Sequence, residues 1–127
     1  MAGLKKGKRQ RVLVVDDEKN CRELLSQALT EMGCDVILAP SGHEALQEVG
    51  KNCFDLVFTD LNMKGMDGWK LAEEVRRLNG TVPIVLVTGA EQAAITQKMR
   101  SSSIDEVVFK PFNWDDILAI ISNRFPM

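Results

Sequence analysis

Asp16-Asp17, Asp60, Thr88 and Lys110 each end or follow a short apolar run, and their types could do chemistry together. The run Phe54-Asp55-Leu56-Val57-Phe58-Thr59-Asp60 needs no charge at its tip for packing, so Asp60 wants a chemical reason. Three carboxylates brought together repel. One pair about 4 Å apart costs on the order of 4 kcal/mol at a surface-like effective dielectric. A cation, protonation or the Lys110 ammonium has to offset that. Oxygen-only ligands favour a hard ion, and a partly hydrated Mg²⁺ held by a couple of carboxylates plus a phosphate oxygen suits the set. A metal beside a carboxylate and an amine points to phosphoryl transfer, with Asp60 as the attacking group that forms an aspartyl-phosphate. Mg²⁺, Lys110 and the Thr88 hydroxyl would share the charge on the transferring oxygens. Singly, each residue has a plainer reading: a helix cap for Asp16-Asp17, a strand-end hydroxyl for Thr88, a solvated terminus for Lys110. The five together carry the argument.

The elements that must position them follow from periodicity. Arg11–Asp16 is a continuous β-branched run, suited to a strand covered on both faces. Cys21, Leu24, Leu25, Ala28, Leu29 and Met32 recur at three and four, giving the inward stripe of a helix that Gly33 stops. Cys34–Ala39 reads as a second strand. Ser41 and Glu44 have capping-box spacing ahead of a helix that turns Ala45, Leu46 and Val49 inward. Phe54–Asp60 is a third strand, and Trp69, Leu71, Ala72, Val75 and Leu78 mark a third helix. Val82–Thr88 is a fourth strand with Pro83 at its start, where a missing donor does least harm. Glu91 to Arg100 is a fourth helix whose apolar residues are sparse: Ala93, Ala94, Ile95 and Met99. Glu106–Phe109 is a short fifth strand, and Asn113 caps a last helix with Trp114, Ile117, Leu118 and Ile121 inward.

Five strand–helix repeats imply one parallel sheet between two helix layers, joined by right-handed crossovers. At 127 residues the open doubly wound α/β fold is the natural solution, since a closed barrel needs roughly twice the length. In such a sheet function gathers at the carboxyl ends of the strands. That single rim receives all five candidate residues from four different strands.

Composition narrows the classes. No apolar run approaches the roughly 18 residues of a membrane helix, and no signal-peptide core is seen at the N-terminus. Cys21, Cys34 and Cys53, odd in number and widely spaced, argue for a reducing cytoplasm and for small buried residues. Lys5, Lys6, Lys8, Arg9 and Arg11 sit among the first eleven residues with no acid, so all 18 acidic residues fall in the body. Residues 1–8 read as a basic, disordered leader and 9–125 as the folded domain. A body this acidic is a poor nucleic-acid binder by itself. His43 is the sole histidine, which leaves no His-rich zinc or iron site, and it reads as an ordinary partly exposed residue. No phosphate-binding G-x-x-x-x-G-K-[ST] loop is present.

These residues resemble the receiver domain of two-component response regulators, the CheY-like family. The resemblance rests on Val-Val-Asp16-Asp17-Glu18, on Thr59-Asp60-Leu-Asn62-Met63-Lys-Gly-Met66-Asp67-Gly68, on Thr88-Gly89-Ala90 and on Lys110-Pro111-Phe112, and it spans about residues 9–125. It implies a flavodoxin-like three-layer sandwich with strand order 2-1-3-4-5. It also implies that Asp60 accepts phosphate from a sensor histidine kinase or phosphotransfer protein of a bacterial phosphorelay. Asp17, Asp60 and the main-chain carbonyl of Asn62 would bind Mg²⁺ directly, with Asp16 acting mainly through water. Lys110 and Thr88 would hold the phosphoryl oxygens, and the Lys110-Pro111 peptide would be cis. Weak autophosphorylation from small phosphodonors and slow self-dephosphorylation would accompany the switch, and Asn62 and Ala90 sit where the family tunes the lifetime. The face formed by the fourth helix, fifth strand and fifth helix would choose an output partner, and a homodimer is compatible with that.

Two departures stand out. Lys64 occupies a position where the family often has Pro. Val107 stands where an aromatic is usual three residues before the Lys, and Ser103-Ile104 replaces a common Gly-Ala. Phe109, on the same side of the strand as Val107, is the nearest substitute. A pseudo-receiver, working as a phosphorylation-independent interaction module, is the rival reading that Val107 supports. An Mg²⁺ phosphatase is disfavoured, because Asp60-Leu61-Asn62 has an amide where haloacid-type enzymes place an acid.

Overall fold

The chain alternates strand and helix throughout the computed structural model, which describes residues 9–126. The strands are β1 (Arg11–Val15), β2 (Asp35–Ala39), β3 (Leu56–Asp60), β4 (Ile84–Thr88) and β5 (Glu106–Phe109). The helices are α1 (Lys19–Glu31), α2 (Gly42–Lys51), α3 (Gly68–Leu78), α4 (Gln92–Met99) and α5 (Trp114–Arg124). All strand pairs are parallel, in the order β2-β1-β3-β4-β5. The expected doubly wound topology is therefore the one observed. The proposed leader at residues 1–8 lies outside the described residues.

Side-chain alternation builds the two cores. Leu13, Val15, Val57, Ile84 and Leu86 face one layer, where they meet Ala45, Leu71, Ala72, Val75 and Ile95. Val12, Val14, Leu56, Phe58, Val85 and Val87 face the other, against Leu25, Leu29, Ile117 and Ile120. The central strands are buried on both faces, which is why they read as unbroken apolar runs. Val107 and Phe109 share the α3–α4 side, while Val108 faces the other core.

The amino ends of the strands are laced together. The Arg11 N–H donates to Asp55 Oδ2 at 2.8 Å, and its guanidinium pairs with Asp35 at 3.4 Å. Arg76 of α3 donates to the carbonyls of Val82 at 2.7 Å and Ser103 at 3.0 Å, and pairs with Asp105 at 3.0 Å. Asp105 Oδ2 also accepts from the Ile84 N–H at 2.8 Å.

Several inward assignments need correcting. Leu24 is 57%, Trp114 42% and Leu118 39% exposed, and Leu78 ends α3 in solvent. Each lies at the margin of its helical stripe, where the period still holds but the sheet no longer reaches. Cys34 is buried as expected, whereas Cys21 is half-buried and Cys53 exposed. Strands β2, β3 and β4 start one or two residues later than the apolar runs, because Cys34, Phe54 and Val82 pack in the core without joining the ladder. Ser41 accepts from the Glu44 N–H at 3.2 Å, while Asn113 and Asp116 form a complete capping box.

Candidate functional site

β1 stops at Val15, so Asp16 and Asp17 leave the sheet at its carboxyl rim, and Asp60 ends β3 beside them. One oxygen from each of the three carboxylates lies within 4.8 Å of the others. Asp16 is 6% exposed, and its Oδ1 accepts from the Glu18 N–H at 2.9 Å. Its carbonyl accepts from Arg22 at 2.8 Å. Asp16 and Asp17 do not cap α1, whose N-cap is Glu18 without a side-chain bond. Asp17 is exposed, and its Oδ2 accepts from the Lys64 N–H at 3.2 Å. That bond ties the loop after β1 to the loop after β3, and a proline at residue 64 could not make it.

Lys110 follows β5 and reaches back across the sheet. Its Nζ is 3.3 Å from Asp60 Oδ1, 3.6 Å from Asp16 Oδ2 and 3.8 Å from Cys21 Sγ. The Lys110-Pro111 peptide is cis, and the Lys110 N–H donates to the Thr88 carbonyl at 2.8 Å. Thr88 ends β4, fully buried, and its Oγ1 accepts from the Ala90 N–H at 3.1 Å. No bond donated by that hydroxyl is seen among the described residues. Thr88 is in register with Phe109, whose ring packs on the same side as Val107. Asn62 lies in the loop after β3 with its side chain exposed, and His43 is exposed on α2.

Burial is the main cause that raises the Asp16 pKa above its ordinary value; the Glu18 N–H opposes it, the Asp60 charge adds to it and Lys110 opposes it. Burial would lower Lys110, but the Asp60 and Asp16 carboxylates outweigh it and hold the ammonium above its ordinary value. Cys21 is pushed up to about 11, chiefly by its hydrogen bond to Glu18, so it is a neutral thiol and not a nucleophile. One ammonium therefore faces three carboxylates.

That imbalance, with oxygen donors only, fits a hard divalent ion. Bonds of roughly 2.1 Å put ligand oxygens about 3–4 Å apart around Mg²⁺. The three carboxylate oxygens, all within 4.8 Å of one another, would be able to hold such an ion.

The sequence placed Thr59 in the motif around Asp60 without a role, and it did not point to Arg22, Cys21 or the Lys64 N–H as neighbours of the site. Gly68 was visible only as part of a glycine-containing motif.

A model of the response regulator receiver domain matches residues 12–122. The chain belongs to the response regulator receiver domain family. It is 36% identical over 116 residues to the sensor histidine kinase RcsC of Salmonella typhi, covering 89% of this chain and 12% of that protein. It is 32% identical over 111 residues to the transcriptional regulatory protein ZraR of Escherichia coli K12, covering 87% and 25%. The receiver domain thus spans 12% to 25% of the length of these relatives. Among solved structures it resembles the chemotaxis protein CheY4 of Vibrio cholerae, with a TM-score of 0.87, 28% identity and coverage of 93% and 100%. It also resembles the response regulator TrrA of Thermotoga maritima, solved in complex with Mg²⁺ and BeF, with a TM-score of 0.83, 35% identity and coverage of 91% and 99%. The receiver domain is a signalling domain of two-component systems, in which phosphorylation by kinases is general. No helix among the described residues is long and apolar enough to cross a membrane.

Proposed function

We propose that this receiver domain takes a phosphoryl group onto Asp60 from a sensor histidine kinase or phosphotransfer protein. An Asp60 carboxylate oxygen attacks phosphorus, the P–N bond to the donor histidine breaks, and the imidazole leaves with the bonding electrons. Asp17, Asp60 and the Asn62 carbonyl would hold Mg²⁺, with Asp16 acting through water, and the ion would neutralise charge on the phosphoryl oxygens. Lys110 meets the same charge from the β5 side, and the hydroxyl of Thr88 is available to a third oxygen. The product adds about −1.5 to −2 charge at the rim.

The observation that supports this best is Lys110 Nζ lying 3.3 Å from Asp60 and 3.6 Å from Asp16, beside three clustered carboxylates. The added charge then biases the Thr88 loop and the face of α4, β5 and α5, where an output partner docks. We place the domain in the bacterial cytoplasm. Intact-mass measurement after treatment with a small phosphodonor and magnesium tests the reading. One phosphoryl adduct, lost in Asp60→Ala, is expected. An unmodified wild-type chain would overturn it and leave the pseudo-receiver.

A further inference from the structure

Thr59 and Gly68 confine the main-chain carbonyl of Asp60 from two directions. Thr59 is 1% exposed, and its Oγ1 donates to that carbonyl at 2.8 Å. Its place in β3 gives it the same face as Val57, between the sheet and the helices of the α3 side. A buried hydroxyl is costly unless bonded, and valine has the same shape without that cost. Packing therefore does not ask for threonine here; the bond to Asp60 does.

Gly68 closes the other side. A Cβ placed on it would run into the Asp60 carbonyl oxygen and come within 3.0 Å of both Leu61 Cα and Leu86 Cδ1. Its N–H donates to the Leu61 carbonyl at 2.8 Å, shutting the loop between β3 and α3. Glycine is needed at this position for close approach of two backbones. The first turn of α3 is thus seated directly on the residue that carries the acceptor carboxylate.

We propose that Thr59 and Gly68 are positioning residues for phosphoryl acceptance, holding the Asp60 backbone so that its carboxylate stays aligned with Lys110. The proposal rests on the function proposed above. Alignment matters because a misplacement of about 1 Å can cost a hundredfold in rate. The same clamp sets the direction in which Leu61 and Asn62 leave the strand, and so where the Asn62 carbonyl points.

The test compares Thr59→Val, Thr59→Ser and Gly68→Ala with wild type. The readouts are thermal midpoint, magnesium affinity by calorimetry, and phosphorylation rate from a small phosphodonor at saturating magnesium. Thr59→Val should fold with a midpoint lowered by no more than one lost hydrogen bond, while its rate falls roughly three- to ten-fold. Thr59→Ser should restore the rate. Gly68→Ala should lose more than tenfold; if it fails to fold, the Thr59 pair decides alone. A Thr59→Val rate equal to wild type, or a Thr59→Ser rate as slow as Thr59→Val, overturns the proposal while the function stands. A wild-type chain that is never phosphorylated sinks both.

Discussion

Helices α3 and α4 lie on the same side of the sheet, yet they are anchored very differently. α3 buries Gly68, Leu71, Ala72 and Val75, and Asp67 caps it by accepting from the Lys70 N–H at 2.8 Å. Its exposed face carries Lys70 and Arg77 paired with Glu73 and Glu74, and Arg76 stitches it to the loops before β4 and β5. α4 buries only Ile95 and starts at Glu91 without a side-chain cap. Met99 packs half-buried on the same core, and Lys98 Nζ lies 5.2 Å from the centre of the Trp69 ring of α3. α3 is the fixed wall behind Asp60. α4 has the few buried contacts expected of a segment that opens at low cost.

The contrast can be broken first at the two buried side chains. Leu71→Ala should cost about 2–5 kcal/mol of global stability in urea unfolding. Ile95→Ala should cost less globally, because α4 opens alone; its amides should lose hydrogen-exchange protection while those of α3 keep theirs. Equal global losses would end the distinction. Capping comes next. Asp67→Ala should lose about 1 kcal/mol, whereas Glu91→Ser supplies α4 with the cap it lacks and should slow exchange there by a similar free energy. If α4 moves on phosphorylation, Glu91→Ser should also bind beryllofluoride more weakly. Lys98→Met removes the contact with Trp69, worth about 0.5–1 kcal/mol at an exposed site, and should speed exchange in α4 but not α3. Lys98→Arg should behave as wild type. The smallest effect should come from pH. The folded Asp16 pKa is raised above its ordinary 3.8, so without magnesium the folded chain holds that proton longer than the unfolded one. Stability should therefore fall as pH rises from about that ordinary value through the folded one. Asp16→Asn should flatten that slope in a denaturation series.

Much of this was legible in the sequence for one reason. Parallel strands share a carboxyl rim, so finding four strand ends also found Asp16, Asp17, Asp60, Thr88 and Lys110. The sparse apolar content of α4, with Ile95 and Met99 as its larger apolar residues, was visible in the sequence and agrees with its single buried side chain. The burial of Leu24, Trp114 and Leu118 was misjudged because periodicity fixes the direction of a stripe and not its width. Thr59 and Gly68 stood in the motif around Asp60, but their contacts with its carbonyl stayed hidden, because a hydroxyl facing its neighbour's carbonyl, or two backbones in contact, leaves no trace in residue spacing. The carboxylate pair and lysine were chemically odd where they stood, while a threonine in a strand and a glycine in a loop were not.

The lacing by Arg11, Asp35, Asp55, Arg76 and Asp105 lies at the pole of the sheet opposite the acidic rim. It joins the starts of β1, β2, β4 and β5 to α3 and to the loop before β3. Under the proposed function, the phosphodonor and the output partner would both be expected toward the acidic rim, away from this laced pole.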